Sequence, residues 1–390
     1  MIQRKSSMRL SLLAQGVRGS ATMSAANARI SHRHPINLAI GQPAEPPAAV
    51  VIEAAVKASR DGRARYGPPA GLPALRALAA WDQAQKTGIE RDVQDVIITP
   101  GGKPALLDAL RCMLDPGDEV LVLAPYWPSF LQQITLAGGR ARVVAPGPGL
   151  LPDPEAIAAA CNEHTRVIIL NNPSNPTSRT LDAGLMHRIG QIAQRHDLWI
   201  LSDQVYGDLV LDGDHLPLLA VAPELAERTL VVESFSKRFA MTGYRVGYAC
   251  GPTPVIEAMT RLATASITCV NSLAQHAAIA ALSMDDGWAR RQRSRYRRRR
   301  DRASALLDSI GCGLDQRPEA AFYLFFPVPR GADDMAATRG LREVEGLILV
   351  PGTCFGAPGH IRLSYGASDS DLAEAGRRLK RFFADANPRR

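Results

Sequence analysis

An α/β fold, with a mostly parallel central sheet flanked by helices and a smaller α+β unit beside it, is predicted by three features of this 390-residue chain. Short β-branched runs alternate with helical stretches through its middle. Those runs are near-continuously apolar, as strands covered on both faces are. From about Gly287 the pattern changes to a long basic helix and an antiparallel-looking stretch. The length exceeds one ordinary domain. The expected division is a large α/β domain over 45–286 and a small α+β domain made of 287–390 and 1–44, the latter including an N-terminal arm.

In chain order, the expected strands are Val96–Thr99, Glu119–Leu123, Ala141–Val144, Arg166–Leu170, Leu198–Ser202, Thr229–Val232 and Arg245–Tyr248. Helices fit between them at Lys103–Met113, Pro154–Ala160 and Leu185–Arg195. Beyond them lie Ala321–Phe326, Leu347–Val350 and His360–Ser364 as antiparallel strands, with a final helix from Asp369.

Hydrophobic content of 46% and charged content of 22% describe a soluble globular chain. No apolar run is long enough for a membrane span. The six cysteines are scattered without a C-x-x-C pair and read as reduced thiols of an intracellular protein. Arg4, Lys5 and Arg9 precede an apolar patch too short for a secretory signal. An organelle transit peptide is the alternative to the expected cytoplasmic location. Nine arginines against one acid crowd Arg290–Arg302 and account for the whole net charge of +8. No aromatic ladder or zinc spacing accompanies them. With Trp288, Ala303, Leu306 and Leu307 on its apolar side, the segment reads as the solvated face of a helix. Neither nucleic acid nor a metal site is expected.

The chemistry-bearing positions fall just past strands. Asn175, Asp203 and Lys237 are separated by 28 and 34 residues, each about one strand–helix–strand unit. Groups at the carboxyl ends of neighbouring parallel strands converge on one crevice. Lys237 offers an amine, with Ser234, Ser236 and Arg245 close by in sequence. An amine condenses with an aldehyde, while hydroxyls and a guanidinium hold a phosphate ester, and pyridoxal phosphate carries both. The plain alternative for Lys237 is a surface lysine after a strand. Asp203 can pair with a protonated pyridine nitrogen, worth roughly 4 kcal/mol at about 4 Å and an effective dielectric near 20; alone it would read as a loop acid. Tyr206 and Asn175 can hydrogen-bond the cofactor's phenolate.

The turn Gly101-Gly102-Lys103 leads from a strand into a helix, where backbone N–H groups attract phosphate, though alone this motif is weak. Trp127 offers a face for ring stacking or fills the core. Arg362, a lone charge in an apolar strand, needs a partner, and a substrate carboxylate would make a bidentate one.

With these residues assembled, the chain resembles the class I/II aminotransferases, the fold type I pyridoxal-phosphate enzymes, and looks most like their bacterial aspartate/aromatic/prephenate branch. The matching segments include Tyr66–Gly71, Gly101–Lys103, Pro125–Trp127, Asn172–Thr177, Ser202–Tyr206, Ser234–Tyr248, Val350–Thr353 and His360–Arg362. The resemblance implies that Lys237 carries the aldimine and shuttles a proton, Asp203 pairs with the ring nitrogen, Tyr206 and Asn175 hold the phenolic oxygen, and Trp127 stacks on the ring. It also implies a phosphate cradle of Gly102, Lys103, Ser234 and Arg245. Tyr66 would join that cradle from a neighbouring subunit, hence a homodimer with shared sites. Arg362 would clamp the α-carboxylate, with Gly41, Asn175 and Trp127 lining the substrate site.

Three departures stand out: Ser178 in place of the usual glycine, Gln204 in place of an acid, and Gln42-Pro-Ala-Glu-Pro after Gly41. The last puts substrate preference in doubt, whereas Lys103 resembles a lysine that meets a distal carboxylate. The expected activity is transfer of an amino group from an amino acid, an acidic one such as aspartate or glutamate favoured, to a 2-oxo acid. Elimination or cyclisation on the same site core is the alternative. A DNA-binding regulator would need a helix-turn-helix segment for which the chain before Gly41 leaves little room.

Overall fold

The computed structural model describes residues 10–17, 19–27, 32–314 and 316–385. Arg4, Lys5 and Arg9, weighed above as a targeting segment, lie outside them. Among the described residues no helix is long and apolar enough to cross a membrane.

The strands run in chain order as β1 (Ile36–Asn37), β2 (Val96–Thr99), β3 (Glu119–Leu123), β4 (Arg140–Val144), β5 (Thr165–Asn171), β6 (Trp199–Asp203) and β7 (Thr229–Ser234). They continue as β8 (Gly247–Cys250), β9 (Tyr323–Pro327), β10 (Leu347–Ile348), β11 (Val350–Pro351) and β12 (His360–Ser364). Seven form one sheet in the order β2-β8-β7-β6-β5-β3-β4, parallel except for β8, which runs against both of its neighbours. The mostly parallel α/β fold expected from the sequence is therefore present.

Alternation along each strand explains the layers. Val167 and Ile169 join a core with Leu106 and Leu110 of helix Gly102–Met113 and Ile256 and Met259 of helix Thr253–Ser266. Ile168 and Leu170 face the opposite core, built on Leu185, Ile189 and Ile192 of helix Ala183–Arg195. Both faces are covered, which is why these strands are apolar throughout. The edge strand β4 departs from that pattern, since its first four residues are exposed.

A second sheet, β11-β12-β9, is antiparallel and packs under helices Gly287–Ser309 and Asp369–Asp385 through Tyr296, Leu307, Phe322 and Leu379. The expected strand over Leu347–Val350 is split. Leu347 and Ile348 pair in parallel with Ile36 and Asn37, and only Val350 and Pro351 join the antiparallel sheet. The strand expected from Ala321 begins instead at Tyr323, after Ala321 turns through φ 54°.

The basic helix corrects a sequence expectation. Arg290, Arg291, Arg298 and Arg302 are exposed, but Arg299 and Arg300 are buried. Arg299 pairs with Glu45 at 2.7 Å and Asp369 at 2.8 Å. Arg300 bonds Asp212, Asp301 and the Pro318 carbonyl. A buried guanidinium is tolerated because each of its nitrogens has an acceptor, and apart from Asp301 these partners lie too far away in sequence for local patterning to reveal them. Arg300→Met is expected to lower stability by about 2–3 kcal/mol, discounted because Asp212 is partly exposed. Arg291→Met should stay within about 0.5 kcal/mol. Denaturant midpoints check both, and equal effects would restore the solvated-face reading.

Candidate active site

The sheet register brings the site together. Asn171, the last residue of β5, is level with Asp203, the last of β6, which is level with Val232 of β7. Just past these ends opens a cavity of about 310 Å³ lined by Gly41, Gly102, Lys103, Trp127, Asn175, Asp203, Tyr206, Ser234, Lys237, Arg245 and Arg362. Eleven of the twelve positions singled out in the sequence thus share one cavity. The twelfth, Tyr66, is outside it with its surface 89% exposed. Sequence reasoning missed Tyr323, Ile40, Val205 and Thr242, and also Ser20 and Met23 of the N-terminal segment, all of which line the same cavity. Tyr323 carried a signal only as one ring in an aromatic strand; the polar residues near Met23 carried none.

Lys237 lies in the single turn Phe235–Arg238 that follows β7, capped by the Ser234 hydroxyl, which accepts from the Ser236 amide at 3.2 Å. Its ammonium donates to the Gly41 carbonyl. Burial, helped by the Arg362 and Arg245 charges, lowers its pKa to about 8. Asp203 is 3% exposed, and burial raises its pKa to about 7, opposed only by the Val205 amide, which donates to it at 3.3 Å. Among the described residues no salt bridge to Asp203 is present. A buried carboxylate without a cation is a site prepared for one.

Arg362, on β12, is 1% exposed. It donates to Asn175 Oδ1 at 2.8 Å and to the Ala39 carbonyl, and lies over the rings of Tyr323 and Phe355 at 4.5 and 4.9 Å. Its Nε has no partner. Asn175 is itself fixed by its amide, which donates to Asn171 Oδ1 at 2.9 Å. Trp127 meets Phe130 edge-on at 5.4 Å, and the Lys103 ammonium stands 4.8 Å from its ring centre. Burial and the Arg245 charge lower the Lys103 pKa.

At the start of helix Gly102–Met113, Gly101 has φ 99°, and a side chain there would collide with the Arg245 guanidinium. Arg245 itself is left-handed at φ 55°, so β8 begins at Gly247 rather than at Arg245 as the sequence suggested. These backbone N–H groups, Ser234, Ser236 and Arg245 could hold a phosphate, the unpaired Asp203 carboxylate a ring cation, and the Lys237 amine an aldehyde. The donor set therefore fits pyridoxal phosphate. Ser178 takes φ 56° where a glycine was expected, and its hydroxyl accepts from the Tyr323 amide at 3.3 Å. Gln204 Nε2 donates to Ser202 Oγ at 3.0 Å, away from the cavity lining.

The sequence profile of the family Aminotransferase class I and II matches residues 33–379. The aspartate/prephenate aminotransferase of Thermus thermophilus is 38% identical over 342 residues, covering 86% of this chain and 88% of that protein. The aspartate aminotransferase of Streptomyces avermitilis is 36% identical, covering 98% of each. Among solved structures, the Thermus thermophilus aspartate aminotransferase with maleate superposes with a TM-score of 0.90 at 36% identity, covering 96% of this chain and 99% of that one. The aromatic aminotransferase of Pyrococcus horikoshii superposes with a TM-score of 0.87 at 30% identity, covering 90% and 96%.

The raised value of Asp203 has a stability consequence in the cofactor-free protein. The folded chain keeps a proton that the unfolded chain releases near pH 3.8, so stability is full below that pH and falls as pH rises toward 7. Asp203→Asn removes this loss. It is expected to raise the melting temperature of the cofactor-free protein relative to wild type at pH 8, by a few kcal/mol of stability at most, with a smaller or no gain near pH 4. A gain independent of pH would contradict the assignment.

Proposed function

The chain belongs to the class I and II aminotransferases, and from that premise we propose that its cavity holds pyridoxal phosphate and takes an acidic amino acid as amino donor. One observation carries the reading: a partly buried amine, a buried carboxylate lacking a cation and a buried guanidinium with a free Nε share one cavity. When bound, pyridoxal phosphate supplies an aldehyde for amines and a ring that accepts the electrons of a breaking Cα bond.

The protein's own groups do the remainder. With a pKa of about 8, Lys237 is neutral in an appreciable fraction near neutral pH, so Nζ can take a proton from a substrate Cα and return one. Asp203 would pair as a carboxylate with a protonated ring nitrogen and favour its charged form. Asn175 and Tyr206 would hold the phenolic oxygen, and Trp127 would flank the ring, all three lining the cavity. The Gly102 and Lys103 amides, Ser234 and Arg245 would hold the phosphate. Arg362, held in aim by Asn175 and by two aromatic faces, would grip the α-carboxylate, with Gly41 lining the same cavity.

Lys103, a cation at the cavity wall, supports an acidic donor, as do relatives named aspartate aminotransferases. A 2-oxo acid is the acceptor. The relatives' names give elimination or cyclisation no support. The exposure of Tyr66 supports its reaching a second copy's phosphate, hence a homodimer with shared sites. The sheets support a division into 45–286 and the remainder, since one lies within 96–250 and the other within 323–364. The six unpaired cysteines support a reducing cytoplasm.

Lys237→Ala is expected to abolish the visible absorbance gained on adding pyridoxal phosphate; an unchanged spectrum rejects the lysine assignment. Lys103→Ala keeps the backbone amide and should lower kcat/KM for aspartate by about 10–100-fold, the value of one charged hydrogen bond, with a change of less than about threefold for monocarboxylic donors. A panel of donors scored by half-reaction rate checks this, and an equal loss for all donors counts against the acidic preference.

A further inference from the structure

We propose that Tyr323 is a positioning residue for Tyr206, linking the carboxylate clamp at Arg362 to the hydroxyl that faces the cofactor's phenolic oxygen. The inference rests on the site assignment above. The two tyrosine hydroxyls are 2.7 Å apart, and both residues are buried. If Tyr206 is to donate into the cavity, its oxygen must accept from Tyr323, because each hydroxyl has a single proton.

Tyr323 is held for that task at three points. Its amide donates to the Ser178 hydroxyl at 3.3 Å, its backbone is in register with Ser364, and the Arg362 guanidinium lies 4.5 Å over its ring. Its hydroxyl occupies the space where a side chain at Gly41 would stand, so position 41 is glycine for steric reasons. The charged and titratable groups around the pair are Arg362 on β12, Asp203 beyond Tyr206, and Tyr296 from the basic helix.

A guanidinium over a phenol ring withdraws negative potential and makes its hydroxyl a stronger donor, and a donated bond in turn strengthens the next. Tyr206 therefore donates more strongly while the clamp is empty. A carboxylate arriving on Arg362 cancels part of that field and weakens the chain, so occupancy of the clamp is felt at the phenolic oxygen through Tyr323 and Tyr206 as well as through Asn175.

Tyr323→Phe keeps the ring under Arg362 and the shape above Gly41 and deletes only the hydroxyl. The visible absorbance of the cofactor-loaded protein, titrated against pH, reads the effect. A weaker Tyr206 donor stabilises the phenolate less, so Tyr323→Phe is expected to raise the titration midpoint by about 0.3–0.6 unit. Tyr206→Phe should raise it further, and the double variant no more than Tyr206→Phe alone. Ser178→Gly, which suits the left-handed backbone but frees the Tyr323 amide, should shift the midpoint the same way by less, and serves if Tyr323→Phe does not fold. Additive shifts, or a midpoint unmoved in both the Tyr323 and Ser178 variants while Tyr206→Phe shifts it, overturn the proposal. A wild-type protein with no titrating visible band overturns the site assignment and this inference with it.

Discussion

Desolvation is the constraint on which this site depends. The seven-stranded sheet, covered on both faces, ends in a crevice where Asp203 is buried and Lys237 is partly buried. Burial penalises charge of either sign, lowering the amine to about 8 and raising the carboxylate to about 7. Near neutral pH each group is therefore poised between its two forms. A ligand with a ring cation and an aldehyde answers both demands at once, since the cation ionises Asp203 and the aldehyde consumes the amine. The same groups on an exposed surface would be fully charged, and the amine would be a poor nucleophile.

Much of this was legible in the sequence because the crevice is built from strand ends. A parallel strand must run as an unbroken apolar stretch, so its end is visible, and the polar residue that follows it is visible too. That places Asn175, Asp203 and Lys237 without knowledge of the packing. Arg362 was legible for the opposite reason, as one charge within an apolar strand. What escaped was set by tertiary pairing. Arg300 reads as one more arginine of a basic helix until Asp212 and Pro318 approach from distant loops. Leu347 and Ile348 read as part of an antiparallel strand until Ile36 and Asn37 pair with them. Tyr323 reads as a core ring until its hydroxyl meets Tyr206, 117 residues away. In each case the partner is remote in sequence, and periodicity carries no information about it.

The neighbouring residues Lys237 and Arg238 show how the fold keeps one cation available. Arg238 faces away from the cavity into a buried cluster, where it pairs with Asp82 at 2.8 Å and Asp208 at 3.4 Å. Lys86 joins them, contacting Asp82, Asp208 and Glu233 at 2.9–3.0 Å. Those carboxylates raise the pKa of both cations above their ordinary values, against burial, which lowers it. Breaking such a pair strands a charge in low dielectric at a cost of about 3–5 kcal/mol, so Arg238 anchors its turn firmly.

Lys237, one residue earlier on the same short turn, has no carboxylate partner among the described residues and bonds only the Gly41 carbonyl. Every acid close to this turn other than Asp203 is already committed to Lys86 or Arg238. Asp203 does not contribute to the lowering of the lysine's pKa, whose neighbouring causes are two guanidinium groups. The asymmetry leaves the lysine with a lowered pKa beside an arginine whose pKa is raised. A carboxylate placed against the lysine would hold the amine protonated, as Lys86 is held. By pairing the arginine with two carboxylates and leaving the lysine to a carbonyl, the fold fixes the turn's position with one cation and leaves the other without a counter-charge, as the proposed role of Lys237 requires.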